Sequence, residues 1–142
     1  MNDLRNLLVW EKAHSLSMAV YRATCAFPAA ERFGIVAQMR RAAVSVPASI
    51  AESCGRRSHR DEAHLLQIAF GSSCELEAEL LLARDLGYLP REDHARLGAA
   101  VVEVKRMLAS LAARTFTRAA AAERRAAESR RQSAASRSHS DG

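Results

Sequence analysis

Aromatic residues are scarce in this chain of 142 residues, 5% of the total with a single Trp, so little is on hand to stack exposed bases. Six Gly and three Pro amid much Ala, Leu, Arg and Glu make a poor recipe for a sheet and predict an all-α protein of one domain. The three cysteines, Cys25, Cys54 and Cys74, are odd in number and form no CxxC pair, which indicates neither a disulfide framework nor a zinc site. No apolar run reaches the eighteen or so residues of a membrane span, and MNDLRNLLVWEK lacks a signal-peptide core; the expectation is a cytoplasmic chain with no membrane partner. Catalytic signatures are missing as well. No glycine-rich phosphate loop occurs, Cys54 and Cys74 have no evident histidine partner, and Ser45, Ser72 and Ser73 fall inside helices rather than on strained turns. The expectation is a protein that is not an enzyme and uses no cofactor.

Apolar residues recur at alternating spacings of three and four, the mark of helices that bury one stripe. Helix one is predicted over about residues 7–27 from Val9, Ala13, Leu16, Val20, Ala23 and Phe27, and Pro28 ends it. Helix two, about 31–55, carries Met39, Ala43, Val46 and Ile50 and closes at Gly55, expected in the left-handed conformation. Helix three, about 59–87, is capped by Ser58 with Asp61 and Glu62, and its line is Leu65, Ala69, Ser72, Leu76, Leu80 and Ala83. Gly71 and its neighbouring serines, in the middle of that helix, suggest that another helix approaches closely. Helix four, about 90–116, starts at Pro90 and carries Leu97, Val101, Val104, Leu108 and Leu111. Short connections make this an antiparallel up-down-up-down four-helix bundle over residues 4–113, with a kinked second helix. Leu7, Leu8, Trp10, Leu66, Phe70, Leu81 and Leu82 lie off the stripes and point to self-association. Residues 114–142 form an arginine-rich tail, helical in part on propensity and then disordered through SAASRSHSDG.

Pro47 interrupts helix two while the stripe runs straight across it. A proline has no backbone donor, so the carbonyl of Ala43 needs another partner, and Ser45 is a candidate to help. Arg41, Ser45, Ala48 and Glu52 share a polar line beside the apolar one, and Glu75 or Glu79 of helix three can supply a carboxylate to Arg41. Such a pair fixes register more than it stabilises, and a solvated charged face is the plainer alternative.

The run FGIVAQMRRAAVSVPASIAES, then IAFGSSCELEAEL and LGYLP, preceded by LLVWEKAHSLSMAVYRATCAFPAAERFG, resembles the four-helix-bundle family named after reading frames in intervening sequences of bacterial 23S ribosomal RNA genes. The resemblance spans about Leu4 to Leu111 and rests on Arg40, Arg41, Ser45, Pro47, Glu52, Gly71, Ser72 and Glu75. The family typically shows Asn-Ile-Ala-Glu-Gly where this chain has Ser49, Ile50, Ala51, Glu52 and Ser53, so no role of that Asn side chain or Gly backbone is carried over. The resemblance implies a ring-like homopentamer without established enzymatic activity. It also implies distant kinship with the accessory variability determinant, a bundle protein that assists the reverse transcriptase of diversity-generating retroelements and binds nucleic acid through a basic surface.

Charge placement bears on the same question. Residues 1–112 carry 14 Arg or Lys against 13 Asp or Glu, whereas residues 113–142 carry 7 against 3. Arg40, Arg56, Arg57 and Arg60 surround helix two and the turn after it, and Arg118, Arg124 and Arg125 open the tail; these seven are the candidate contacts to phosphates of structured RNA or an RNA/DNA intermediate. A protein-interaction scaffold is the alternative. A remoter one is a metal-carboxylate enzyme, because Glu11-x-x-His14 and Asp61-x-x-His64 imitate the ligand spacing of di-iron bundles. Glu11 and His14, however, are set well away from the seam, and Glu103 of helix four lies nearer its middle than the required end.

Overall fold

Four amphipathic stripes become four helices: α1 (Leu4–Thr24), α2 (Ile35–Cys54), α3 (His59–Asp85) and α4 (Arg91–Ser140), with a 3-10 turn at Ala29–Glu31, in a computed structural model that describes residues 4–140. No strand occurs among the described residues, and no helix there is long and apolar enough to cross a membrane. Every stripe residue is buried except Ala23 and Ser72, which are half-buried; next to Ser72 it is Ser73 that is enclosed. Of the apolar residues set off the stripes, Leu66 joins the core, Trp10 and Phe70 pack at its margin, and Leu7, Leu8, Leu81 and Leu82 remain exposed.

Each helix packs on its neighbours in the chain, α1 closes against α4, and the diagonal pairs do not meet among the described residues. The cross-helix bonds give the direction. Asn6, Ser17 and Thr24 meet Cys54, Ala43 and Arg40 in turn, and Ser45 and Arg41 meet Ser72 and Glu75. Arg60 and Glu77 likewise meet Glu123 and Lys105. In each pair one number rises as the other falls, the antiparallel order of an up-down bundle.

Local chemistry accounts for the boundaries. The 3-10 turn ends at Glu31, whose carboxylate accepts from the Ile35 amide at 3.4 Å and from the Tyr88 hydroxyl at 3.2 Å, placing negative charge at the start of α2. The Ser58 hydroxyl accepts from the Asp61 amide at 3.1 Å and starts α3 as its sequence implies. Gly87, with φ of 78°, ends α3 in the left-handed region that glycine enters freely. Gly55 differs from expectation: its φ of −91° and ψ of −1° are right-handed, and its amide reaches back to Glu52 and Ser53.

Three further expectations are corrected. The tail is not disordered through residue 140, for α4 continues without a break over 50 residues, about 75 Å at 1.5 Å per residue. Ala, Arg, Glu and Gln favour helix there, and the hydroxyls of Ser133, Ser136 and Ser138 bond carbonyls three or four residues back. Asp141 and Gly142, the end of the expected disorder, lie outside the described residues. The bundle also reaches past residue 113, since Thr115 and Ala119 are buried and Glu123 pairs with Arg60 in the first turn of α3. Gly71 marks no close approach within the chain either: a Cβ placed on it meets nothing within 4 Å.

Candidate nucleic-acid interface

The turn between α2 and α3 sets Arg56 and Arg57 at one end of the bundle, where α1 begins and α4 passes. A groove of about 480 Å³ there is lined by Arg56, Arg57, His59 and, from α4, Arg118. Two of the neighbouring cations are partly neutralised. Arg56 pairs with Glu52 one turn back, and Arg60 makes a two-pronged bond to Glu123 at 2.7 and 3.0 Å. That bond holds the Glu123 carboxyl below its ordinary range and raises the Arg60 guanidinium. Glu123, absent from the sequence-based candidates, is therefore what ties the start of the projecting helix to the bundle; a Glu ahead of an Arg pair on α4 was its only signal.

Beyond Glu123 the helix leaves the bundle. Residues 124–140 carry Arg124, Arg125, Arg130, Arg131 and Arg137 against one acid, Glu128, and apart from Ala127 the side chains described there are exposed. Arg40 lies elsewhere, some sixteen residues or about 24 Å up α2 from Arg56. Its Nε donates to Thr24 Oγ1 at 2.9 Å, its Nη2 to the Tyr21 carbonyl at 3.3 Å, and its guanidinium sits 4.6 Å over the Tyr21 ring. The structure thus gathers Arg56, Arg57, Arg60 and Arg118 at one end, strings Arg124 and Arg125 along α4, and uses Arg40 as a clamp between α1 and α2.

The polar line beside Pro47 is resolved into two parts. Helix α2 is continuous across Pro47, and the carbonyl of Ala43 accepts from the Ser17 hydroxyl of α1 at 2.6 Å. Ser45, the candidate for that duty, instead bonds Ser72 of α3 at 2.9 Å. Ser17 sits on the apolar stripe of α1 between Ala13 and Val20, and a buried hydroxyl in such a stripe signals a carbonyl in need. Farther along, Arg41 approaches Glu75 at 3.8 Å with both side chains largely exposed, the geometry of a weak surface pair. Glu79 is enclosed, with neither carboxylate oxygen hydrogen-bonded. Burial, and then the adjacent Glu75 carboxylate, push its carboxyl up to about 7, against a smaller opposing pull from Arg41.

For the di-iron alternative, Glu103 pairs with Lys12 at 2.8 Å and His14 stacks on Trp10. No group of three or more His, Cys, Asp or Glu able to hold a metal is assembled among the described residues.

The model of the 23S rRNA-intervening sequence protein family matches residues 5–110, which includes the whole of the polar line and the end turn of the bundle. The chain belongs to that family. A crystal structure of a protein of unknown function from the S23 ribosomal protein family of Bacteroides thetaiotaomicron superposes with a TM-score of 0.71 at 22% identity, covering 77% of this chain and 98% of that one. It shares the fold. None of the curated proteins matches. Against this family's span, the helix beyond residue 110 is extra length, and it is where the surplus of positive charge lies. Ser49 and Ser53, at the positions where the resemblance expects Asn and Gly, are both buried, and Ser53 bonds the Ile50 carbonyl at 2.6 Å.

Proposed function

We propose that this family member is a non-enzymatic, self-associating bundle that binds nucleic acid by phosphate contacts from one end. The observation that carries the reading is the convergence of Arg57 and Arg118 on the groove from which the basic helix of residues 124–140 departs. The ligand of this reading is structured RNA or an RNA/DNA intermediate, since few aromatics are on hand to read splayed bases. A reverse transcriptase is the protein partner implied by the retroelement kinship. In an oligomer the basic end is repeated, and weak phosphate contacts gain by avidity.

Binding is expected to weaken linearly in logarithm as salt rises, with a slope close to the number of phosphates neutralised. Arg57→Ala with Arg118→Ala should flatten that slope by one to two units, and removal of residues 124–142 by about three to five, measured by filter binding against structured RNA and duplex DNA. Binding that ignores salt, or none at micromolar protein, refutes the reading. Exposed Leu7, Leu8, Leu81 and Leu82 favour a second reading, a protein-interaction scaffold, whose partners in pull-downs persist after nuclease treatment.

A further inference from the structure

Residues 124–140 extend α4 by about 25 Å beyond the bond between Arg60 and Glu123. A free peptide of that length without an apolar stripe is a marginal helix, but this segment grows from a helix the bundle already holds. Nucleation is met, and its arginines stand in a fixed order. At about 100° per residue, Arg124 and Arg131 fall on one line along the helix and Arg130 and Arg137 on a second, about 120° around from the first. The members of each line are about 10.5 Å apart along the axis. Beyond Glu123, only Ala127, Ala134 and Ser138 lie in the arc between the two lines among the described residues. Arg125 and the acid Glu128 fall outside it.

Two rows of cations with short side chains between them match a ligand whose anionic rims flank a groove. The major groove of B-form DNA, about 12 Å wide and about 8.5 Å deep, admits an α-helix between its two phosphate backbones. Alanine and serine keep the inserted side of the helix slim, and the guanidiniums reach outward to either rim. A-form RNA lacks this fit, because its major groove is deep and narrow. A single acidic protein surface would be met by one row. Between the rows there is no Arg, Asn or Gln, the side chains that read bases through paired bonds, so the match is to the shape of the duplex and not to its sequence.

We propose that the projecting helix lies in the major groove of B-form duplex DNA, with little preference for sequence. Arg124 and Arg131 face the phosphates of one strand, and Arg130 and Arg137 those of the other. The contact rests on the phosphate-binding reading above and adds a second nucleic acid to it, a DNA duplex on the helix beside structured RNA on the bundle end. All of its residues lie beyond the span 5–110 that the family model matches.

Fluorescence anisotropy of the full chain with duplex DNA and duplex RNA of equal length and sequence tests it. Exchanging neighbours, Ser129→Arg with Arg130→Ser and Arg131→Gln with Gln132→Arg, keeps composition and net charge but moves one arginine out of each row. With its circular dichroism unchanged, the exchanged variant should bind duplex DNA at least tenfold more weakly than the parent and duplex RNA within twofold of it. Dimethyl sulfate should find guanine N7, which lies in the major groove, protected by the parent and open with the variant. Equal binding of DNA by the two proteins, an equal loss on RNA, or guanine N7 left open by the parent overturns the assignment while leaving phosphate binding by the basic end intact. Poly-glutamate that displaces the DNA at equal charge gives the helix to an acidic protein and overturns it too. Absence of salt-dependent binding to any nucleic acid overturns the reading above as well.

Discussion

Ser17→Ala is expected to lower the unfolding free energy by about 1–3 kcal/mol, the range for stranding a buried polar group. In a regular helix the Ala43 carbonyl accepts from the amide of residue 47, and Pro47 has no such donor. The Ser17 hydroxyl takes that place at 2.6 Å while also reaching the carbonyl of Ala13 at 3.0 Å. Urea denaturation followed by circular dichroism measures the loss. The diagnostic comparison is made in a Pro47→Ala background, where residue 47 regains its amide and Ala43 regains its ordinary helical bond. There, removing Ser17 should cost less than in the parent, and the difference is the coupling between the two positions. If the loss is the same in both backgrounds, the hydroxyl is not what compensates the proline.

That pairing also shows what a sequence does and does not disclose. The stripes were legible because helical period is a local property: Val9 to Val20, Met39 to Ile50 and Leu97 to Leu111 mark their own buried faces. The partner of the Ala43 carbonyl was not legible, because it comes from another helix and depends on register. Ser45 is nearer in sequence, yet its direction on α2 carries it to Ser72. The same limit applies to Arg40, whose place between Thr24 and Tyr21 follows from the turn that folds α2 back on α1. The small residues around Gly71 suggest a close packing point, yet within the chain a Cβ there meets nothing within 4 Å, because local composition does not say which side of a helix faces a neighbour. For the projecting helix, composition pointed in two directions: alanine and arginine favour helix, while the absence of an apolar stripe argued for disorder, and the former prevails through residue 140.

The basic end and the carboxylate pair occupy separate parts of the molecule. Arg57 and Arg118 lie beside the first turn of α3, whereas Glu75 and Glu79 lie past its middle. Substitutions at Glu75 and Glu79 can thus be read for stability without touching the proposed phosphate contacts. Loss of assembly should reduce apparent nucleic-acid affinity through avidity alone while leaving the contacts of each single copy unchanged.

Glu79 gives the second large effect, a dependence of stability on pH. Its carboxyl is raised from the ordinary 4.5 to about 7 in the folded chain, first by burial and then by Glu75. Between those values the folded state holds a proton that the unfolded state has released, so stability falls as pH rises. The contribution is complete below about 4.5 and is lost once pH passes about 7; for a shift of that size the loss is on the order of 2–3 kcal/mol. Glu79→Gln keeps the shape, cannot ionise and can donate to Glu75. The variant should therefore match the parent near pH 5 and exceed it by about 2 kcal/mol at pH 8, with the difference curve rising between. Parallel stability curves for the two proteins from pH 5 to 8 would show that burial and Glu75 do not raise the Glu79 carboxyl in the folded chain.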